Sequence, residues 1–221
     1  MLQMATDSAH RASLAATTSL VVTSCVVAAK LYAAYRTGSV SVLAEALQSL
    51  ADVAIAAGVL AAVRIASKPP DDDHPYGHGK AELLMSALQM VLLIGVSGFI
   101  ISKAIDRLTK PQGVETEIGL YVMGGAAVVN FFLAAWISRV AKETRSHALE
   151  GEVMHLRSDA ISAAGVMGGL LAVQLTGLVW LDPLVAIGFT LVVIVGAVKT
   201  LQKLTHPLMD GALSPDELAR V

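Results

Sequence analysis

Long apolar runs broken by short polar clusters dominate this chain. Six stretches, near 12–35, 39–66, 80–107, 114–138, 149–176 and 179–203, are long enough to cross a hydrocarbon core of roughly 30 Å, for which a helix needs about 20 residues. In lipid the backbone polar groups must be satisfied within each segment, so runs of this length predict helices. The fold class expected is all-α, a six-transmembrane-helix bundle. The breaks carry turn chemistry: Thr37-Gly38, Pro69-Pro70 followed by Asp71 to Asp73, Pro111-Gln112-Gly113, and Asp182-Pro183. The connection after Gly177 is very short, which predicts an antiparallel hairpin of the fifth and sixth helices. Residues 1–11 form a polar N-terminal segment, 12–203 the membrane domain and 204–221 a C-terminal stub.

Composition agrees. Of 221 residues 55% are hydrophobic and only 15% charged, against about 25% charged in soluble domains, and the mean hydropathy is +0.65. A formal net charge of -2, without a long single-sign tail, gives no reason to expect nucleic acid as a partner. One cysteine, Cys25, rules out a disulfide within the chain and reads as packing in an apolar segment. No small-residue cleavage site follows a brief apolar core, so no signal peptide is expected.

Basic residues set the orientation. With both termini cytoplasmic, the inner side collects Arg11, Arg64, Lys68, Lys80, Arg139, Lys142, Arg145, Lys199, Lys203 and Arg220, and the outer side Arg36, Lys103, Arg107 and Lys110. The chain is expected to be multi-pass, in a bacterial cytoplasmic (inner) membrane. Small residues crowd Ala54 to Gly58, Gly124 to Ala127, Ala163 to Gly165 and Gly168-Gly169, where they allow close helix approach. Trp136, Trp180, Tyr32, Tyr35 and Tyr121, near predicted helix ends, read as interfacial anchors. Lys30, within the first helix, is expected either to snorkel or to pair with a carboxylate.

Two polar pairs stand inside apolar segments: Gln48 with Asp52, and His155 with Asp159. Side chains four apart stack one turn above another on one helix face. Ionisable groups in lipid are costly to keep, and two helices giving two ligands each can close the tetrahedral site that zinc favours. Imidazole and carboxylate suit zinc and its first-row neighbours, and two carboxylates balance a divalent charge. The structural alternative is that Asp52 accepts hydrogen bonds from Ser41 or Ser49, and that His155 is an ordinary polar helix end. The loop between the second and third helices holds Asp71, Asp72, Asp73, His74 and His78, with Gly77 and Gly79 to let it turn. It reads either as a second metal-binding loop or as a solvated acidic turn.

The stretch from Ser39 to Asp52, the loop Asp73-His-Pro-Tyr-Gly-His-Gly-Lys-Ala-Glu82, the run Glu150 to Asp159 ending His-Leu-Arg-Ser-Asp, and Leu181-Asp-Pro-Leu184 together resemble the cation diffusion facilitator family of metal transporters. The resemblance covers nearly the whole chain. It implies a six-helix, usually homodimeric antiporter that exports zinc or another divalent ion from the cytoplasm in exchange for protons. By position, Gln48, Asp52, His155 and Asp159 fall on the transport site, and Asp71, His74 and His78 on a second site. Two departures stand out. Position 48 is more often His or Asp in the family, and Gln binds metal weakly and carries no proton. The family's cytoplasmic ferredoxin-like domain would begin where this sequence reads Leu213 to Val221.

The expectation is therefore a membrane transporter exporting divalent cations, zinc foremost, with cadmium, iron, manganese or cobalt as alternatives. No organic cofactor is implied, and the partners are lipid, metal ions, protons and a second copy of the chain. The rival readings are a non-transporting partner subunit, marked by Gln48, and an intramembrane enzyme. For the enzyme the sequence offers no His-Glu-x-x-His helix and no Gly-x-Ser-x-Gly elbow.

Overall fold

The computed structural model describes the backbone of residues 2–144 and 147–208; the end of the C-terminal stub lies outside the described residues. Six helices follow in order: α1 Leu2–Thr37, α2 Val40–Ala66, α3 Lys80–Thr109, α4 Thr116–Thr144, α5 His147–Thr176 and α6 Leu181–Leu208. The class is all-α, and among the described residues there is no strand. Among the described residues five helices (α1 from Leu14, α3, α4, α5 and α6) are long and apolar enough to cross a membrane. The remaining helix, α2, has 27 residues, about 40 Å at 1.5 Å per residue.

Helix bounds depart most from the hydropathy bounds in three places. α1 begins at Leu2, α4 continues to Thr144 and α6 to Leu208, beyond the apolar runs 12–35, 114–138 and 179–203. Leu2 to Ser13 and Ser138 to Thr144 contain no Gly or Pro, so nothing in the backbone stops α1 or α4 where the hydrophobicity stops.

The chain divides into two compact units, Met1–Leu50 with Phe99–Thr190, and Ala51–Gly98 with Leu191–Val221. In the first unit α4 packs most extensively on α5 and next on α1. One apolar cluster gathers Ala15 of α1, Leu133 and Ile137 of α4, and Leu149, Val153 and Leu156 of α5. A second joins Ala33 and Ala34 of α1, Val42 and Ala46 of α2, Met123 of α4, and Val166 and Leu170 of α5. Glycine permits the closeness: a Cβ on Gly119 would meet Leu170 Cδ1 at 2.8 Å, and one on Gly169 would meet Val185 at 2.9 Å. In the second unit a Cβ on Gly58 of α2 would run into the end of the Met85 side chain of α3.

Two buried charges inside the first unit are compensated, whereas both amide atoms of Asn130 and the hydroxyls of Thr23 and Thr190 are buried without a hydrogen-bond partner. Lys30 is fully buried, and its ammonium donates to Glu45 Oε1 and Ser49 Oγ, both at 2.8 Å. Lys30 thus pairs with a carboxylate and does not snorkel. Asp182, also fully buried, receives the start of α2: Ser39 Oγ donates to it at 2.6 Å, the Val40 N–H at 2.7 Å, and Ser41 through both its N–H and its hydroxyl. The unsatisfied N–H groups and positive dipole of a helix N-terminus compensate a buried carboxylate. Cys25, read as packing in an apolar segment, is a free thiol on an exposed face of α1.

Candidate metal centre

In the first unit, His155 and Asp159 lie one turn apart on α5, His155 Nε2 3.9 Å from Asp159 Oδ2. The histidine side chain is 38% exposed and the carboxylate 12%, so a half-buried imidazole stands beside a largely buried acid. Their helix is one of the candidate membrane spans, and its turns on either side bring Leu156, Ala163 and Val166 into the core. Gln48 and Asp52 lie one turn apart on α2, both half-buried. Of the two serines offered as alternative partners of Asp52, Ser41 donates its hydroxyl to Asp182, while Ser49 accepts from Lys30, which leaves its hydroxyl able to donate.

The loop of the second unit brings three predicted residues together. One ligand-type atom from each of Asp71, His74 and His78 lies within 4.8 Å of the others. The Asp71 carboxylate reaches His74 Nδ1 at 3.1 Å and His78 Nε2 at 3.5 Å, and the imidazole rings are 4.4 Å apart between centroids. Ligands held about 2.0 Å from a tetrahedral ion stand about 3.3 Å from each other, so these separations need only small adjustment to hold one. His78 Nδ1 is buried without a hydrogen-bond partner, while His74 and Asp71 are exposed. The backbone makes the cluster: the His74 N–H donates to Asp71 Oδ1 at 2.7 Å, the Gly77 N–H donates to the His74 carbonyl at 2.9 Å, and Gly77 turns the chain at φ 82°. That same His74 N–H is the main cause holding the Asp71 carboxyl below its ordinary range; desolvation, the next largest effect, opposes it, and the side chains of His74 and His78 lower it further. Asp72 and Asp73, counted with the loop from composition, are exposed and outside this three-residue cluster.

Sequence reasoning missed two buried charges. Glu45 went unremarked although it sits one turn before Ser49 on the face that receives Lys30. The sequence presents Asp182 as turn chemistry and as part of the family-like start Leu181 to Leu184, not as a buried charge, although an acid ahead of Pro183 at a helix start is also what a neighbouring helix N-terminus can use.

Comparison with known proteins bears on these residues together. The model of the cation efflux transmembrane domain matches residues 16–209. A cation-efflux pump FieF of Cronobacter sakazakii is 32% identical over 208 residues, 94% of this chain and 68% of the relative. The FieF of Citrobacter koseri is 34% identical over 213 residues, again 94% and 68%. An uncharacterized transporter of Synechocystis, sll1263, is 32% identical over 186 residues, 84% of this chain and 60% of the relative. The chain thus spans about two thirds of the length of these relatives. Its apolar helices and bacterial relatives make it a multi-pass protein of the bacterial inner membrane. The chain belongs to the cation efflux, or cation diffusion facilitator, family and carries that family's transmembrane domain.

Proposed function

We propose that this chain exports divalent metal cations from the cytoplasm by proton antiport, with Gln48, Asp52, His155 and Asp159 as the ligands of the transported ion. The observation that carries the reading is the buried Asp159 with His155 one turn away on a membrane-crossing helix. A carboxylate in that setting is kept for a cation or a proton. With Asp52 it supplies two negative charges, matching a divalent ion. The relatives named as cation-efflux pumps support the same reading. Zinc leads by ligand chemistry, with cadmium, iron, manganese and cobalt following, and Gln48 weakens any strong preference.

Coupling follows from shared ligands. An imidazole must lose its proton before its ring nitrogen takes a metal. Metal entering from the cytoplasm displaces protons, the helices rock to the far side, and protons displace metal there. The Asp71, His74 and His78 loop gathers cations at the cytoplasmic mouth. The working unit is a homodimer with both termini cytoplasmic, the orientation favoured by its basic residues.

Transport by His155→Ala tests the coupling: the scheme predicts slow uptake with a flattened pH dependence. Retention of the full pH dependence would end it. Gln48 favours one second reading, a partner subunit with a weakened site. In that case Gln48→Asp creates transport where the unaltered chain has none; in the leading reading the unaltered chain already transports.

A further inference from the structure

Positive charge collects where the expected orientation leaves it unexplained, at the end of α3, and neither metal cluster uses it. Lys103, Arg107 and Lys110 recur at helical spacing and line one cavity of about 390 Å³, whose other wall is the α1–α2 corner around Gly38 and Ser39. One carboxylate, Asp106, opposes these three cations in the lining, which leaves it two positive charges in excess. The guanidinium of Arg107 is held in place by donating to the Gly38 carbonyl and to Gln112 Oε1, while its Nε remains buried without a partner. Lys103 Nζ sits over the Phe99 ring, 5.7 Å from its centroid, and Lys110 Nζ is 3.9 Å from Asp106 Oδ1 across an exposed pair. The N-terminus of α2, next to the cavity, is already taken by Asp182, so the attraction for an anion rests on the side-chain cations alone.

These charges stand at the end of a membrane-crossing helix. Phe99 and Ile105, on the same turns, are about half exposed, at 50% and 52%. We propose that the cavity binds the phosphate of an anionic phospholipid headgroup, with Lys103, Arg107 and Lys110 as the recognising groups. A basic pocket at a helix end supplies the phosphate contacts, and the exposed Phe99 and Ile105 give the acyl chains an apolar surface to lie against. Free inorganic phosphate offers the same anion without that apolar anchor.

The test uses the purified full chain in a neutral detergent, following thermal unfolding as phosphatidylglycerol, phosphatidylcholine or inorganic phosphate is added. Phosphatidylglycerol is expected to stabilise the chain at concentrations where the other two do not. In Lys103→Gln/Lys110→Gln the stabilising midpoint moves up by about thirtyfold, the effect of two membrane-surface cations. Asp106→Asn, which removes only the opposing carboxylate, moves it down and guards against a fold defect in the double variant. An unchanged midpoint in both variants would overturn the proposal. Equal stabilisation by phosphatidylcholine, or by inorganic phosphate alone, would overturn the anionic-lipid assignment.

Discussion

A lysine with no exposure inside a membrane helix must keep its counter-charge beside it, and Lys30 does so through Glu45 and Ser49. Removing one member of such a pair leaves a buried charge uncompensated. Lys30→Met is therefore expected to destabilise the first unit by about 3–5 kcal/mol, while Lys30→Met/Glu45→Met recovers most of that loss. Unfolding of the three proteins in detergent micelles checks this; a double variant as unstable as the single one would show that the pair does not act as a pair. The loop gives a second prediction at this scale. Because the Asp71 carboxyl is held low, its contact with the His74 backbone is complete above the ordinary carboxylate value of about 3.9 and is lost only as pH falls through the lowered value. Between pH 5 and 7.5 the charge of Asp71 is therefore constant, and any weakening of zinc binding toward acid in that range does not come from Asp71. Calorimetric zinc titration of Asp71→Asn should thus show lower affinity with the same pH trend. A flattened trend would assign the proton to Asp71.

At the scale of elements, the start of α2 is fixed by a carboxylate that belongs to α6. Asp182→Ala strips the Val40 and Ser41 N–H groups and two serine hydroxyls of their acceptor, at a cost of about 2–4 kcal/mol. Hydrogen exchange should show the first turn of α2 opening in this variant; unchanged protection there would mean that other groups cap the helix. Gly119→Leu tests packing in the same region, since even a Cβ there meets Leu170 at 2.8 Å and Thr37 at 3.4 Å. It should separate α4 from α5 and lower the melting temperature by several degrees. The helices themselves were legible because hydrophobic length in lipid leaves so few alternatives. Helix ends were less so, since α1 and α4 run on into polar sequence that hydropathy cannot distinguish from loop. The pairs at 48/52 and 155/159 were legible from i, i+4 spacing within apolar runs. The Lys30–Glu45 contact and the reach of Asp182 to α2 were not, because partners 15 and 142 residues apart in sequence meet only through packing.

At the scale of the whole molecule, the chain is the transmembrane domain of a cation efflux protein, and the expected topology puts both termini in the cytoplasm. Single cysteines in the 67–79 loop and in the 110–115 loop, added to a Cys25→Ala background, should be labelled from opposite sides of inside-out and right-side-out vesicles. Labelling of both from one side would refute the topology. The central claim is that four ligands on two helices carry a divalent ion, and proteoliposome uptake tests it most directly. Zinc, manganese, iron and cobalt are offered under an imposed pH gradient to the unaltered chain and to Asp52→Ala/Asp159→Ala. The account predicts proton-driven uptake of at least one metal, abolished in the double variant while the protein remains folded. Uptake that survives the loss of both carboxylates, or no uptake of any metal by the unaltered chain, would contradict it.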